Sequence, residues 1–155
     1  MAHPQKRQVA LSLFDRLTDY DPRNSREAPR PEWEQLRLQK ESVARDLTNL
    51  LNVRRSENDI PEEFLQTRES VAAYGIADFT AAPMDREGIR RIIERTVRLF
   101  EPRLSRVQVS LVEGGDLRFS FRISALLRID VGAEPVVYDA DLPKESRRIQ
   151  VTPGR

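Results

Sequence analysis

Glu101-Pro102-Arg103 sets a carboxylate and a guanidinium on either side of a proline, the most informative local cluster of chemistry-bearing side chains in this sequence. Pro102 has no backbone N–H to donate and must end the helical pattern before it. It also turns Glu101 away from helical geometry. Phe100 and Leu104 flank the pair and are expected to anchor it in the core. Two readings follow: a helix-to-strand connection closed by a local salt bridge, or a rigid corner that presents both charges to a partner. An exposed ion pair contributes about 0–1 kcal/mol, whereas truncating one member of a desolvated interface pair costs about 2–5 kcal/mol. In the second reading the corner matters only where association buries it.

Little else offers chemistry. The single histidine, His3, lies in a polar tail, which argues against a Ser-His-Asp triad and against a multi-histidine metal site. With no cysteine there are no disulfides, thiolate ligands or sulfur nucleophiles. Neither a Walker A sequence nor a Gly-x-Gly-x-x-Gly before a helix occurs, and Gly114-Gly115 sits between strand patterns as a turn. The 25 acidic residues offer many pairs for glycoside hydrolysis, but they concentrate in polar runs such as Asp19-Tyr20-Asp21 and Glu62-Glu63. Such a pair needs a cleft and one carboxyl kept protonated. No enzyme, cofactor or metal is expected.

Lys and Arg number 26 against 25 Asp and Glu, and the charges are interspersed. A nucleic-acid binder needs a larger or more segregated basic excess, so protein contacts are the better expectation. Arginine dominates, and its planar fork suits interface ion pairs. No apolar run reaches the roughly 18 residues a membrane span needs, and residues 1–10 lack the apolar stretch of a signal peptide. A cytoplasmic protein that meets a membrane only through partners is expected.

The elements that position these residues follow from periodicity. Val9, Leu13, Phe14 and Leu17 give a two-turn apolar stripe, too short to stand alone and expected to dock. Residues 19–31 carry three prolines and read as a linker. The expected organisation is a docking helix and linker over 1–31 and a single domain over 32–155. Trp33, Leu36, Val43, Leu47 and Leu50 mark a long helix over residues 32–54, with Lys40 in its seam. Residues 52–69 read mostly as loop, and residues 70–79 as an apolar turn around Gly75. A second strong helix, 85–100, places Ile89, Ile92, Ile93, Val97 and Phe100 on one face and arginines on the other.

The period then becomes two. Val107, Val109 and Leu111 alternate with polar residues, and Glu113–Asp116 supply a hairpin turn. From Leu117 to Val131 every odd position is apolar, while Arg118, Arg122 and Arg128 lie on the wet face as a second candidate interface. That face lacks the exposed aromatics that stack RNA bases. A turn at 132–135, a third strand at 136–142 and a short fourth near Ile149 complete an α+β domain. Its N-terminal helices are expected on one face of a twisted three- or four-stranded antiparallel sheet.

Four segments in order then resemble TssE, the baseplate subunit family of bacterial type VI secretion systems. Ser12-Leu13-Phe14-Asp15-Arg16-Leu17 is similar to its N-terminal signature, and residues 46–55, DLTNLLNVRR, to its Asp-Leu-x-x-Leu-Leu-Asn-x-Arg-Arg stretch. Tyr74-Gly75-Ile76-Ala77-Asp78-Phe79 resembles its Tyr-Gly-x-x-Asp-Phe turn, and Glu101-Pro102-Arg103-Leu104 its Glu-Pro-Arg motif, shared with lysozyme-like phage baseplate-wedge proteins. The resemblance implies a structural subunit beside TssF, TssG and TssK that helps start the TssB–TssC sheath. It implies a contact motif at Glu101, Pro102 and Arg103 and a wedge contact at Leu13, Phe14 and Leu17. A sheet edge from Arg106 to Val112 would be available to a sheath strand. Peptidoglycan degradation within the same apparatus is the alternative, which these residues do not independently support.

Overall fold

The computed structural model describes residues 17, 31–55, 60, 63–77, 86–112, 118–129, 132–143 and 148–154. Helix α1 (Glu32–Asn52) starts at Pro31, whose carbonyl accepts from the N–H groups of Glu34 and Gln35. Glu32 and Glu34 place negative charge at its positive end. Full burial begins only at Gln39 and continues through Ser42, Val43, Ala44, Leu47, Leu50 and Leu51. Trp33, expected in the seam, is instead 68 % exposed on the first turn. Gln39 rather than Lys40 takes the polar seam position, donating Nε2 to the Arg128 carbonyl at 3.2 Å.

The stretch 52–69, expected to be mostly loop, and the turn expected over 70–79 carry more structure than that among the described residues. Strand β1 (Arg54–Arg55) follows the helix directly, and a short helix α2 (Leu65–Arg68) leads to a 3₁₀ turn at Val71–Ala73. Strand β2 (Ile76–Ala77) pairs in parallel with β1. Gly75 has φ +109°, and a Cβ there would lie 2.6 Å from the Val53 carbonyl oxygen. Glycine alone permits that approach. These short elements lie below the length at which periodicity speaks.

Helix α3 (Arg86–Phe100) matches the expected amphipathic stripe, with Ile89, Ile93, Thr96 and Val97 buried. Strands β3 (Leu104–Val112), β4 (Arg118–Ile129), β5 (Gly132–Pro143) and β6 (Gln150–Pro153) form one antiparallel sheet in that order. Phe121, Ile123, Ala125 and Leu127 of β4 and Val136, Tyr138, Ala140 and Leu142 of β5 share one core with α1 and α3. The architecture is therefore α+β, as the sequence implies.

Two details of the sheet depart from expectation. Residues 132–135 belong to β5 rather than to a turn, since Ile129 pairs with Gly132 and Leu126 with Pro135. Pro135 is tolerated because β6 pairs with β5 only from Tyr138 to Asp141, leaving that stretch of β5 without a second neighbour among the described residues. On β3 the register slips between Ser105 and Gln108. Arg106, at φ 51°, occupies a left-handed conformation uncommon for a residue with a Cβ. This β-bulge lets Leu104 and Val107 both face the core although three positions separate them.

Candidate functional site: an ion-pair corner and two sheet edges

The corner after α3 is built inward. Glu101 is only 4 % exposed, and Arg103 meets both its oxygens, with Nε at 2.7 Å from Oε1 and Nη2 at 2.6 Å from Oε2. The Arg103 backbone N–H also donates to Oε1. The same guanidinium reaches helix α1, with Nη2 at 2.6 Å from Asp46 Oδ2 and Nη1 at 3.2 Å from Ser42 Oγ. Burial alone would weaken Arg103's hold on its proton, but the hydrogen bonds and charges of Glu101 and Asp46 outweigh it and raise its pKa. Two-point contact with a carboxylate in such surroundings is among the stronger polar interactions a protein makes. Pro102 is the exposed member of the motif.

Around this pair lies an open groove of about 270 Å³ bounded by Asp46, Leu50, Tyr74, Phe100 and the three motif residues. Tyr74 and Phe100 meet edge to face with centroids 5.6 Å apart. Burial pushes the Tyr74 phenol up, and the charges of Asp46 and Glu101 add to the shift. Behind the corner, Tyr138 is fully buried, and its hydroxyl has no hydrogen-bond partner among the described residues. Desolvation raises its pKa well above 10, with Glu101 adding to the effect and Arg103 opposing it.

The two edges of the four-stranded sheet are also occupied. At β6, Asn52 donates to the Ile149 carbonyl at 2.7 Å and accepts from its N–H at 2.9 Å. One turn earlier, Thr48 Oγ1 accepts from the Val151 N–H at 3.1 Å. At β3, Arg98 donates twice to the Val107 carbonyl, at 3.1 and 2.8 Å. Arg90 reaches the Val109 carbonyl, and Glu94 accepts from the Val109 N–H, both at 3.2 Å. Glu94 in turn pairs with Arg90 and Arg98. Antiparallel pairs alternate in hydrogen-bonding direction, so the N–H and C=O of Leu111 face outward on the same side as those of Val109.

The remaining expected residues are dispersed. Arg106 is exposed at the bulge. Arg122 pairs across the sheet with Asp139, Nε to Oδ1 at 2.9 Å, which raises its pKa. Arg118 opens β4 opposite Pro143, and its side chain lies outside what the structure describes. Leu13 and Phe14 also lie outside the described residues, while Leu17 is helical and 76 % exposed. The partners Asp46 and Ser42, and the edge-binding roles of Thr48, Asn52, Arg90, Glu94 and Arg98, are additions from the structure. The 4-residue spacing of Arg90, Glu94 and Arg98 was a visible signal, although on its own it reads as a solvated helix face.

Three of the four motif stretches contribute to this corner, while the first, residues 12–17, lies outside the described residues except for Leu17. Asp46 supplies a carboxylate to Arg103, while Leu47, Leu50 and Leu51 fill the core and Asn52 holds β6. Tyr74 closes the groove from the other side, and Gly75 lies next to it against Val53. The described residues form an antiparallel meander backed by two helices, with the charged corner turned onto itself. A family model described as baseplate wedge protein gp25 matches residues 37–131, more than half of the chain, and the protein belongs to that family. The match runs from within α1 through β4, while β5 and β6 complete the sheet beyond it. No curated protein and no solved structure matches the chain. Its role is that of a structural baseplate component that contacts other baseplate components.

Proposed function

We propose that this protein is the TssE-type subunit of a type VI secretion baseplate, joining TssF, TssG and TssK and helping to start the TssB–TssC sheath, without catalysis. The observation that carries the reading is the corner itself: motif segments far apart in the chain supply Asp46, Tyr74, Glu101 and Arg103 to one place. Internal pairing makes Glu101 and Arg103 the frame of the contact, and leaves Pro102 with the groove beside it as the surface a partner meets. The β3 edge is the second surface, offered to a sheath strand by main-chain pairing. Leu111 presents the open part of that edge, and Leu13, Phe14 and Leu17 serve as the wedge-docking helix. The protein works in the cytoplasm at the membrane-docked apparatus; among the described residues no helix is long and apolar enough to cross a membrane.

Co-expression with the wedge and sheath subunits, followed by affinity capture, tests this. Wild type should retain both sets. Leu111→Pro removes an outward N–H without breaking a β4 bond, and should lose TssB and TssC while keeping TssF, TssG and TssK. Full retention of the sheath subunits by the proline variant rules out edge pairing. Capture of neither set by wild type overturns the secretion-baseplate assignment.

A further inference from the structure

On the outer face of α3, away from the Glu101 corner, lies a second open groove of about 390 Å³ between that helix and the α2 segment. Four arginines line it, Arg68, Arg91, Arg95 and Arg98, against two glutamates, Glu69 and Glu94. Leu99 contributes an apolar patch and is 37 % exposed. The charges are not equally engaged. Glu94 is taken up by Arg90, Arg98 and the Val109 N–H, and Arg98 by Glu94 and the Val107 carbonyl. Arg91 and Arg95 are exposed and have no carboxylate within ion-pair distance among the described residues. They stand one turn apart on one helix face, so both guanidiniums can address a single extended segment.

We propose that this groove docks an acidic segment of a partner protein, with Arg91 and Arg95 as its main contacts and an apolar side chain of that segment resting on Leu99. Clustered arginines are a recurring means of recognising acidic motifs, and their planar forks match carboxylate geometry. A nucleic acid fits less well. The lining holds no aromatic side chain to stack a base, and the net charge of the whole chain is only +1. The proposal does not depend on the identity of the baseplate, because it rests on the groove and not on the Glu101 corner.

The test uses the purified full chain and a fluorescein-labelled deca-glutamate peptide carrying one central leucine, read by anisotropy at low and moderate salt. Wild type should bind, and binding should weaken as salt rises. Arg91→Glu/Arg95→Glu, checked by circular dichroism to be folded, should bind about tenfold more weakly or worse. Arg37→Glu reverses an exposed arginine on α1 that pairs with Glu41 and should stay within about twofold of wild type. No binding by wild type overturns the proposal. So does equal weakening by Arg37→Glu, which would mean bulk charge alone, or tighter binding of a twelve-nucleotide single-stranded DNA than of the peptide.

Discussion

Along β6 the outward backbone is met by Thr48 and Asn52, short neutral side chains from α1, whereas along β3 it is met by Arg90, Glu94 and Arg98, long charged ones from α3. Both arrangements answer the same problem, a row of unpaired N–H and C=O groups that invites another chain. They differ in permanence. Thr and Asn have few rotamers to lose and sit half-buried against the strand, so water or a competing backbone has little to offer in exchange. Arg98 is 56 % exposed, and a hydrogen bond made by such a side chain is readily replaced by one from solvent or from an arriving strand. One edge is closed by two short side chains; the other is covered by an ion-pair cluster in which Arg90 and Glu94 are 22 % and 19 % exposed and Arg98 is the exposed outer member.

Four experiments press on that contrast, the first at the corner from which β3 departs. Arg103→Ala strips the counter-charge from buried Glu101 and cuts the tie to Asp46, so urea unfolding should show a loss of about 3–5 kcal/mol. A loss below 1 kcal/mol would mean that the corner does not frame the sheet. Asn52→Ala removes three hydrogen bonds and leaves the Ile149 N–H and C=O without a partner, an expected cost of about 2 kcal/mol. Arg98→Ala should cost less than about 1 kcal/mol, because water can reach the Val107 carbonyl it leaves. Native-state hydrogen exchange sharpens the same point without mutation: the Val109 amide should exchange faster than the Val151 amide. The reverse order would erase the distinction between the edges.

The smallest effect is expected midway between them. Tyr138→Phe deletes a buried hydroxyl without a partner among the described residues and should leave stability at neutral pH unchanged or raised by about 1 kcal/mol. The sign of its pH dependence follows from a folded-state pKa raised above the unfolded value near 10. Stability is full below about pH 10 and falls as pH rises further, because only the unfolded chain ionises freely there. Tyr74, raised for the same reason, adds a share of that loss. The phenylalanine variant should therefore show a shallower decline in alkaline urea titrations, and an unchanged slope would place the alkaline sensitivity elsewhere.

What could be read from the residues alone divides by range. Helix α3 and strand β4 were legible because long stretches repeat one period, and the helix-breaking corner was legible because proline acts locally. The internal pairing of Glu101 with Arg103 was one of two open readings, and distance in the chain explains why. The deciding partner, Asp46, is 57 residues away and becomes a neighbour only once α1 packs against α3. The turn expected at 132–135 failed for a similar reason: Pro135 suggests a break unless the lack of a second neighbouring strand is known. Trp33 shows that helical spacing assigns a face but does not say how far the core extends along it.

The bulge at Arg106 gives the chain one spare letter. If Arg106 is excised on paper, Val107 falls opposite Ala125, between the existing pairs Ser105–Leu126 and Gln108–Ser124, and the ladder becomes regular. No inward residue of β3 would change sides. The strand thus has slack for a single deletion at this position, where the same loss within the unbroken register of β4 would turn half its core residues to water. The pleat does not require Arg106, which stands exposed on the β3 edge.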